Sequence, residues 1–217
     1  MKKPLLIAID GPAASGKGTI AKKVASHYNL EYLDTGRLYR AVGFAVMKSI
    51  NKKLTDENKV NYEAMAVKTA KNLSKDDINS EDIETEEVGR VASIFSSIPS
   101  VRQALLEYQK TVAASKNGAV LDGRDIGSVV CPNADFKFFI TAEPEIRAKR
   151  RFLQLQAKKK DVIEGDVLED IINRDDRDKR RSIAPLAYTN DATLIDTSDK
   201  TIDEVFNLVK DVIKASV

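Results

Sequence analysis

"LLIAIDGPAASGKGT", residues 5–19, runs from five apolar letters through an Asp into a stretch with almost no side chain. Residues 5–10 read as a buried strand, and the helical pattern starts near Lys17, with Ile20, Val24 and His27 on one side. Gly11-x4-Gly16-Lys17 between strand and helix fits a phosphate-binding loop. Glycine turns the backbone without a Cβ, so several N–H groups converge on one anion, and the helix start adds its positive end. Pro12, Ala13, Ala14 and Ser15 fill the loop with small side chains, and Lys17 reaches toward β- and γ-phosphates. A plain structural turn is the alternative, but strand, loop, lysine and helix occur here in the order the phosphate site needs.

The loop departs from the general pattern in one place. Ser or Thr ordinarily follows the lysine; here Gly18 does, and Thr19 comes next. A hydroxyl ligand for Mg²⁺ is lost from its usual position, which shifts the metal toward water, substrate phosphates and a carboxylate. Asp122, after the apolar strand 119–121, is the candidate, acting through water.

Outward from the loop, strands and helices alternate. Residues 31–33 form a short strand, and Asp34 or Thr35 caps a helix through Ser49. Residues 55–115 are mostly helical, strongest at Val88, Val91, Ala92 and Phe95, with a polar, flexible insert at 72–87. Residues 119–121, 136–140 and 193–195 are strands; 143–160 and 166–181 are long charged helices. Thr201-x-x-Glu204 is a capping box ahead of a stripe of Val205, Leu208, Val209, Val212 and Ile213. Such alternation implies an α/β fold with a mainly parallel sheet covered on both faces.

The chemistry available is bounded by what is scarce. His27 is the only histidine and Cys131 the only cysteine among 217 residues, which removes His-based triads, His-cluster metal sites and intrachain disulfides, and fits a reducing cytoplasm. Apolar runs of about five residues are too short to span a membrane. The net charge of +2 carries no global nucleic-acid footprint.

Three further stretches surround the loop: "DTGRLYR" at 34–40, "DGRDIG" at 122–127 and "RDDRDKRR" at 174–181. Arginines suit phosphate because the planar fork donates two bonds at once. The carboxylates among them suit ribose hydroxyls or a base amine. The spacing of Arg174, Asp178 and Arg181 sets them on one helical face, which could equally be a solvated salt-bridge face.

With "IDGPAASGKGT", "LDTGRLYR", "VRQALL", "LDGRDIGSVV", "RAKRRFLQLQ" and "RDDRDKRRSIAPL" taken together, the chain resembles the bacterial cytidylate kinases of the nucleoside monophosphate kinase group. The resemblance implies transfer of the γ-phosphoryl of ATP to CMP or dCMP with Mg²⁺, on a phosphate-loop sheet in a single domain over 1–217. The monophosphate region would cover about 35–115 and the lid about 150–170. Gly11, Pro12, Ala13, Ala14, Ser15, Gly16, Lys17, Gly18 and Thr19 would hold ATP phosphates, with Arg150 and Arg151 on the lid side. Asp34, Thr35, Tyr39 and Arg40 would line the CMP site. There Arg40, Arg124 and Arg181 would grip phosphate, Ser93, Arg102 and Asp125 would read cytosine, and Arg174 and Asp178 would bond the sugar. Lys17, Arg124 and Arg181 would serve catalysis. The resemblance also implies a cytoplasmic monomer with no nucleic-acid or membrane partner. Residues 73–87 depart from the family's longer insert, which carries a small antiparallel sheet, and Glu84 stands where a base is expected. The rivals are a kinase for UMP or AMP, a nucleic-acid ATPase using the basic run 147–151 with 158–160, and a catalytically silent scaffold.

Overall fold

The computed structural model describes residues 3–50, 53–159 and 162–215. In chain order the elements are β1 (Leu6–Asp10), α1 (Lys17–Tyr28), β2 (Glu31–Asp34), α2 (Thr35–Ser49), α3 (Glu63–Lys71), α4 (Lys75–Asn79), α5 (Glu86–Phe95) and α6 (Pro99–Ala113). They continue as β3 (Ala119–Gly123), β4 (Phe136–Thr141), α7 (Pro144–Ala157), α8 (Glu164–Arg180), β5 (Thr193–Asp196) and α9 (Ile202–Ala215). The strands form one parallel sheet in the order β2-β3-β1-β4-β5. β1 thus lies in the middle, and the loop that follows it opens at the C-terminal edge where the connections part to either side, the place where such sheets bind ligands.

Alternation along β1 divides the core. Ile7 and Ile9 face α1 and α9, packing with Ile20, Val24, Val205, Val209 and Ile213. Ala8 faces the other layer, where Leu38 and Val42 of α2, Val91 and Phe95 of α5 and Leu105 of α6 meet Leu121. A third, small cluster joins α7 to α8 through Ala148, Leu155, Val167 and Ile171. That hairpin has its own apolar seam and stands over the loop.

Three expectations need correction. Residues 72–87 do not form a slack insert. Ser74 and Asp77 make a reciprocal cap on α4, Thr85 Oγ1 accepts from Val88 N at 3.2 Å, and Ile78 and Ile83 are buried beside α2. Two isoleucines and the capping hydroxyls of Ser74, Ser80 and Thr85 suffice for short helical turns, and among the described residues the sheet lies wholly in the five strands named. On α9, Phe206 is buried while Leu208 is 43% exposed, because Phe206 lies beside Val205 and Val209 on the covered face. The helix α8 ends at Arg180, so Arg181 is extended backbone, not the third member of a helical face. Of the basic residues 158–160, Lys160 lies outside the described residues.

Candidate active site

The loop turns by two left-handed residues, Ala14 (φ 57°) and Gly16 (φ 86°). At Gly11 a Cβ would sit 2.0 Å from the Ile140 carbonyl oxygen, so only glycine lets the loop leave β1 beside β4. Lys17, at the first turn of α1, is buried and donates to the Pro12 carbonyl at 3.3 Å. Burial, followed by the charge of Arg124, pushes its pKa down to about 8. An anionic phosphate would add to the counter-charge that Asp122 and Asp34 give this ammonium.

Beside Lys17 stand two carboxylates at strand ends. Asp34 and Asp122 are partners in the β2–β3 register. Burial and the charge of Asp34 push the Asp122 carboxyl up to about 7, against the pull of Lys17. Tyr32 donates its hydroxyl to Asp122 Oδ2 at 2.6 Å. A Cβ added at Gly18 would face that oxygen at 3.5 Å and the Tyr32 hydroxyl at 3.7 Å. The Tyr32 hydroxyl therefore lies beside the place that a side chain after the lysine would take, a neighbour that sequence reasoning missed. Two adjacent acids with oxygen donors fit a hard divalent cation that keeps much of its water. Among the described residues no cluster of three or more His, Cys, Asp or Glu makes a protein-only cage.

Two clefts meet here, and Lys17, Gly18, Asp34, Arg40 and Arg151 line both. The first is walled by paired ions. Arg102 bonds Asp125, whose other oxygen lies 3.6 Å from Arg181 Nη2. Arg124 Nε donates to Asp178 Oδ2 at 2.8 Å. Burial opposes ionisation of Asp178, but Arg124, Arg174 and Arg181 together hold its carboxyl below the usual range. Arg174 Nε and Arg181 Nη2 are buried donors without a hydrogen-bond partner among the described residues. Burial and Arg124 push Arg174 down to about 10. Such groups are costly unless something accepts from them. Ser93 also lines this cleft, its hydroxyl accepting from Arg177 Nε at 3.2 Å, and Tyr39 lies under the Arg102 guanidinium at 5.6 Å. Thr35 donates to the Asp122 carbonyl at 2.8 Å, so its hydroxyl braces β3. Asp34 sits at the N-cap position of α2 without a capping bond from its side chain.

Arg40 reaches the mouth of both clefts, donating to the carbonyls of Ile83 and Thr85 at 2.8 and 3.0 Å. Gly89 makes room for it: a Cβ there would meet Arg40 Nη2 at 2.6 Å. The second cleft is lined by Ser15 to Thr19, Arg150, Thr197 and Lys200. Arg150 donates to Thr197 Oγ1 at 2.9 Å and to the Thr197 carbonyl at 2.5 Å. The Thr197 hydroxyl donates to Ser15 O, 3.1 Å away. Arg151 pairs with Glu86. Glu84, unexpected in the sequence, accepts from Arg37 at 3.0 Å and from Lys158 at 2.7 Å, joining the 72–87 segment to the end of α7.

The basic run 147–151 is not a continuous outward patch. Arg147 is 2% exposed and donates to the carbonyls of Ala142 and Ala13 at 2.8 and 3.0 Å, and to Asp175 at 2.6 Å. It ties the phosphate loop to α7 and α8. No sequence signal distinguished it from its exposed neighbours.

The sequence model of the cytidylate kinase family matches residues 7–215. A cytidylate kinase of Rhodopseudomonas palustris (strain ATCC BAA-98 / CGA009) is 47% identical over 211 residues, 97% of this chain and 96% of that protein. One from Azorhizobium caulinodans is 48% identical over 202 residues, 93% of this chain and 94% of that protein. Among solved structures, an uncharacterized protein from Eubacterium ventriosum ATCC 27560 covers 98% of this chain and 99% of its own, with TM-score 0.58 at 16% identity, a likeness of fold alone. With a phosphate loop, a wall of paired arginines beside it and near-half identity along almost its whole length, this chain belongs to the cytidylate kinase family.

Proposed function

We propose that the chain transfers the γ-phosphoryl group of ATP to CMP or dCMP, giving ADP and CDP or dCDP. The observation that carries this reading is the meeting of the two clefts at Lys17, Asp34 and Arg40. Each nucleotide takes one cleft, and their phosphates face each other there. The loop cleft takes ATP and the arginine-walled cleft takes the monophosphate.

An oxygen of the CMP phosphate attacks the γ-phosphorus in line, and the bond to the β–γ bridging oxygen breaks, with ADP leaving. The acceptor phosphate is already ionised, so no protein base is required. Lys17, Arg124 and Arg181 face the charge spread over the equatorial oxygens. Arg40 orients the acceptor phosphate. Asp125, held by Arg102, accepts from the cytosine amine, and Ser93 adds a polar contact to the base. Arg174 and Asp178 bond the sugar. Arg150 and Arg151 border the ATP side. Asp122, with Asp34 beside it, would hold Mg²⁺ through water, and the ion would neutralise phosphate charge.

Residues 35–115 serve as the acceptor region and 150–170 as a lid that excludes water from ATP; positions 160–161 lie outside the described residues. The α7–α8 seam supports this, because the hairpin packs on itself and holds the loop through Arg147. No helix among the described residues is long and apolar enough to cross a membrane. A cytoplasmic monomer with nucleotides as its partners completes the reading.

ADP formation from ATP, followed in parallel with CMP, dCMP, UMP, AMP and GMP, tests it. CMP and dCMP should lead by a wide margin. Equal turnover with UMP or AMP would overturn the acceptor assignment.

A further inference from the structure

Asp10 ends β1 one residue before the phosphate loop, where the loop motif asks for no acid. The residue is 7% exposed. Burial pushes its carboxyl up to about 6, with the backbone N–H groups of Gly127 and Ile126 holding it down. A buried carboxylate is costly unless its oxygens are satisfied. Here both are: Oδ1 accepts from Ile126 N at 2.8 Å and Oδ2 from Gly127 N at 2.7 Å.

Those two N–H groups open the turn Ile126–Val130, which directly follows Arg124 and Asp125. The turn is one residue wider than an α-helical one, with Val130 N donating to Asp125 O at 3.2 Å and Cys131 N to Ile126 O at 2.6 Å. The first N–H groups of a helical turn need acceptors from outside it. Asp10 supplies them from a strand more than a hundred residues away. A Cβ added at Gly127 would lie 3.4 Å from Asp10 Oδ2, an ordinary contact, so the two hydrogen bonds rest on the carboxylate itself.

We propose that Asp10 is a positioning residue for the acceptor site: through the backbone of Ile126 and Gly127 it aims Arg124 and Asp125 at the nucleoside monophosphate. The strand that carries the ATP loop thereby locks the loop that reads the acceptor. The inference rests on the reading of the arginine-walled cleft as the CMP site.

Asp10→Asn keeps the size but leaves one of the two N–H groups facing an amide that cannot accept from it. CMP and ATP binding are measured separately by calorimetry, alongside kcat/KM for CMP and UMP. CMP binding should weaken about tenfold or more and the CMP preference should fall, while ATP affinity stays within about twofold. Unchanged CMP affinity in a folded variant, or equal weakening of both nucleotides, would overturn the inference. Asp10→Glu keeps the charge but adds a methylene, which displaces the carboxylate from the same two N–H groups. It should weaken CMP by about threefold, and it decides the matter if Asp10→Asn does not fold; full CMP affinity there overturns the proposal. Asp125→Asn is run beside them. If it loses selectivity while the two Asp10 variants do not, Asp10 has no positioning role and the acceptor reading stands. If none of the three responds, the acceptor reading falls, and the role of Asp10 with it.

Discussion

The two clefts that meet at Lys17 hold charge by different means. On the loop side, residues 11–19 present small side chains and backbone, with one buried ammonium whose nearest acceptor is the Pro12 carbonyl. On the arginine side, Arg102, Arg124 and Arg181 face Asp125 and Asp178. Backbone N–H groups bind phosphate whatever base it carries. Fixed pairs of charged side chains have a direction, and they leave a wrong ligand with unmatched groups. On the proposed reading, the loop holds the reactive phosphate and the arginine wall supplies selectivity. Buried ion pairs contribute little net stability, so the second cleft is better explained by recognition than by folding.

Removal of the loop's single buried cation should give the largest effect. Lys17→Ala is expected to lower kcat by on the order of a hundredfold or more while circular dichroism stays native. Near-normal turnover would remove the loop from the mechanism. On the other side, Asp125→Asn keeps shape but adds donors where uracil presents an oxygen. The CMP-over-UMP ratio of kcat/KM should fall by about 1–3 kcal/mol, mostly through weaker CMP. An equal slowing of both substrates would mean that Asp125 only orients Arg102 and Arg181.

The smallest effect separates the clefts by pH. Lys17, lowered to about 8 by burial, is increasingly neutral in the free protein as pH rises through that value. ATP phosphates restore its charge, so ATP binding at pH about 8.5 should take up a proton, and ATP should weaken, within about tenfold, toward pH 9. The arginines facing CMP stay charged, so CMP affinity should be flat over the same range. Calorimetry in buffers of different ionisation heat reads the uptake, which Lys17→Ala should abolish. Uptake that persists in that variant would place the titrating group elsewhere.

The same contrast explains what was legible in the sequence. The sheet and the loop could be read because their signals are local: an apolar run, small residues, a lysine, a helix start. Residues 72–87 misled because polarity suggests slack, whereas Ser74, Ser80 and Thr85 are caps and Ile78 and Ile83 are anchors. The charged motifs at 122–127 and 174–181 were visible, but not who pairs with whom. Arg124 meets Asp178 across 54 positions and Asp10 meets Gly127 across 117. Those contacts exist only once the sheet order brings β1 beside β3 and α8 packs over the cleft. Tyr32 and Arg147 were missed for the same reason, since nothing in their immediate neighbours marks them.

The division of labour is tested most directly by measuring CMP and ATP binding separately on Arg181→Ala and Arg150→Ala. Arg181→Ala should weaken CMP by about tenfold or more and leave ATP within about twofold; Arg150→Ala should do the reverse with a smaller loss. If both variants weaken the same nucleotide, or if Arg181→Ala weakens ATP and spares CMP, the two clefts do not divide acceptor from donor as described.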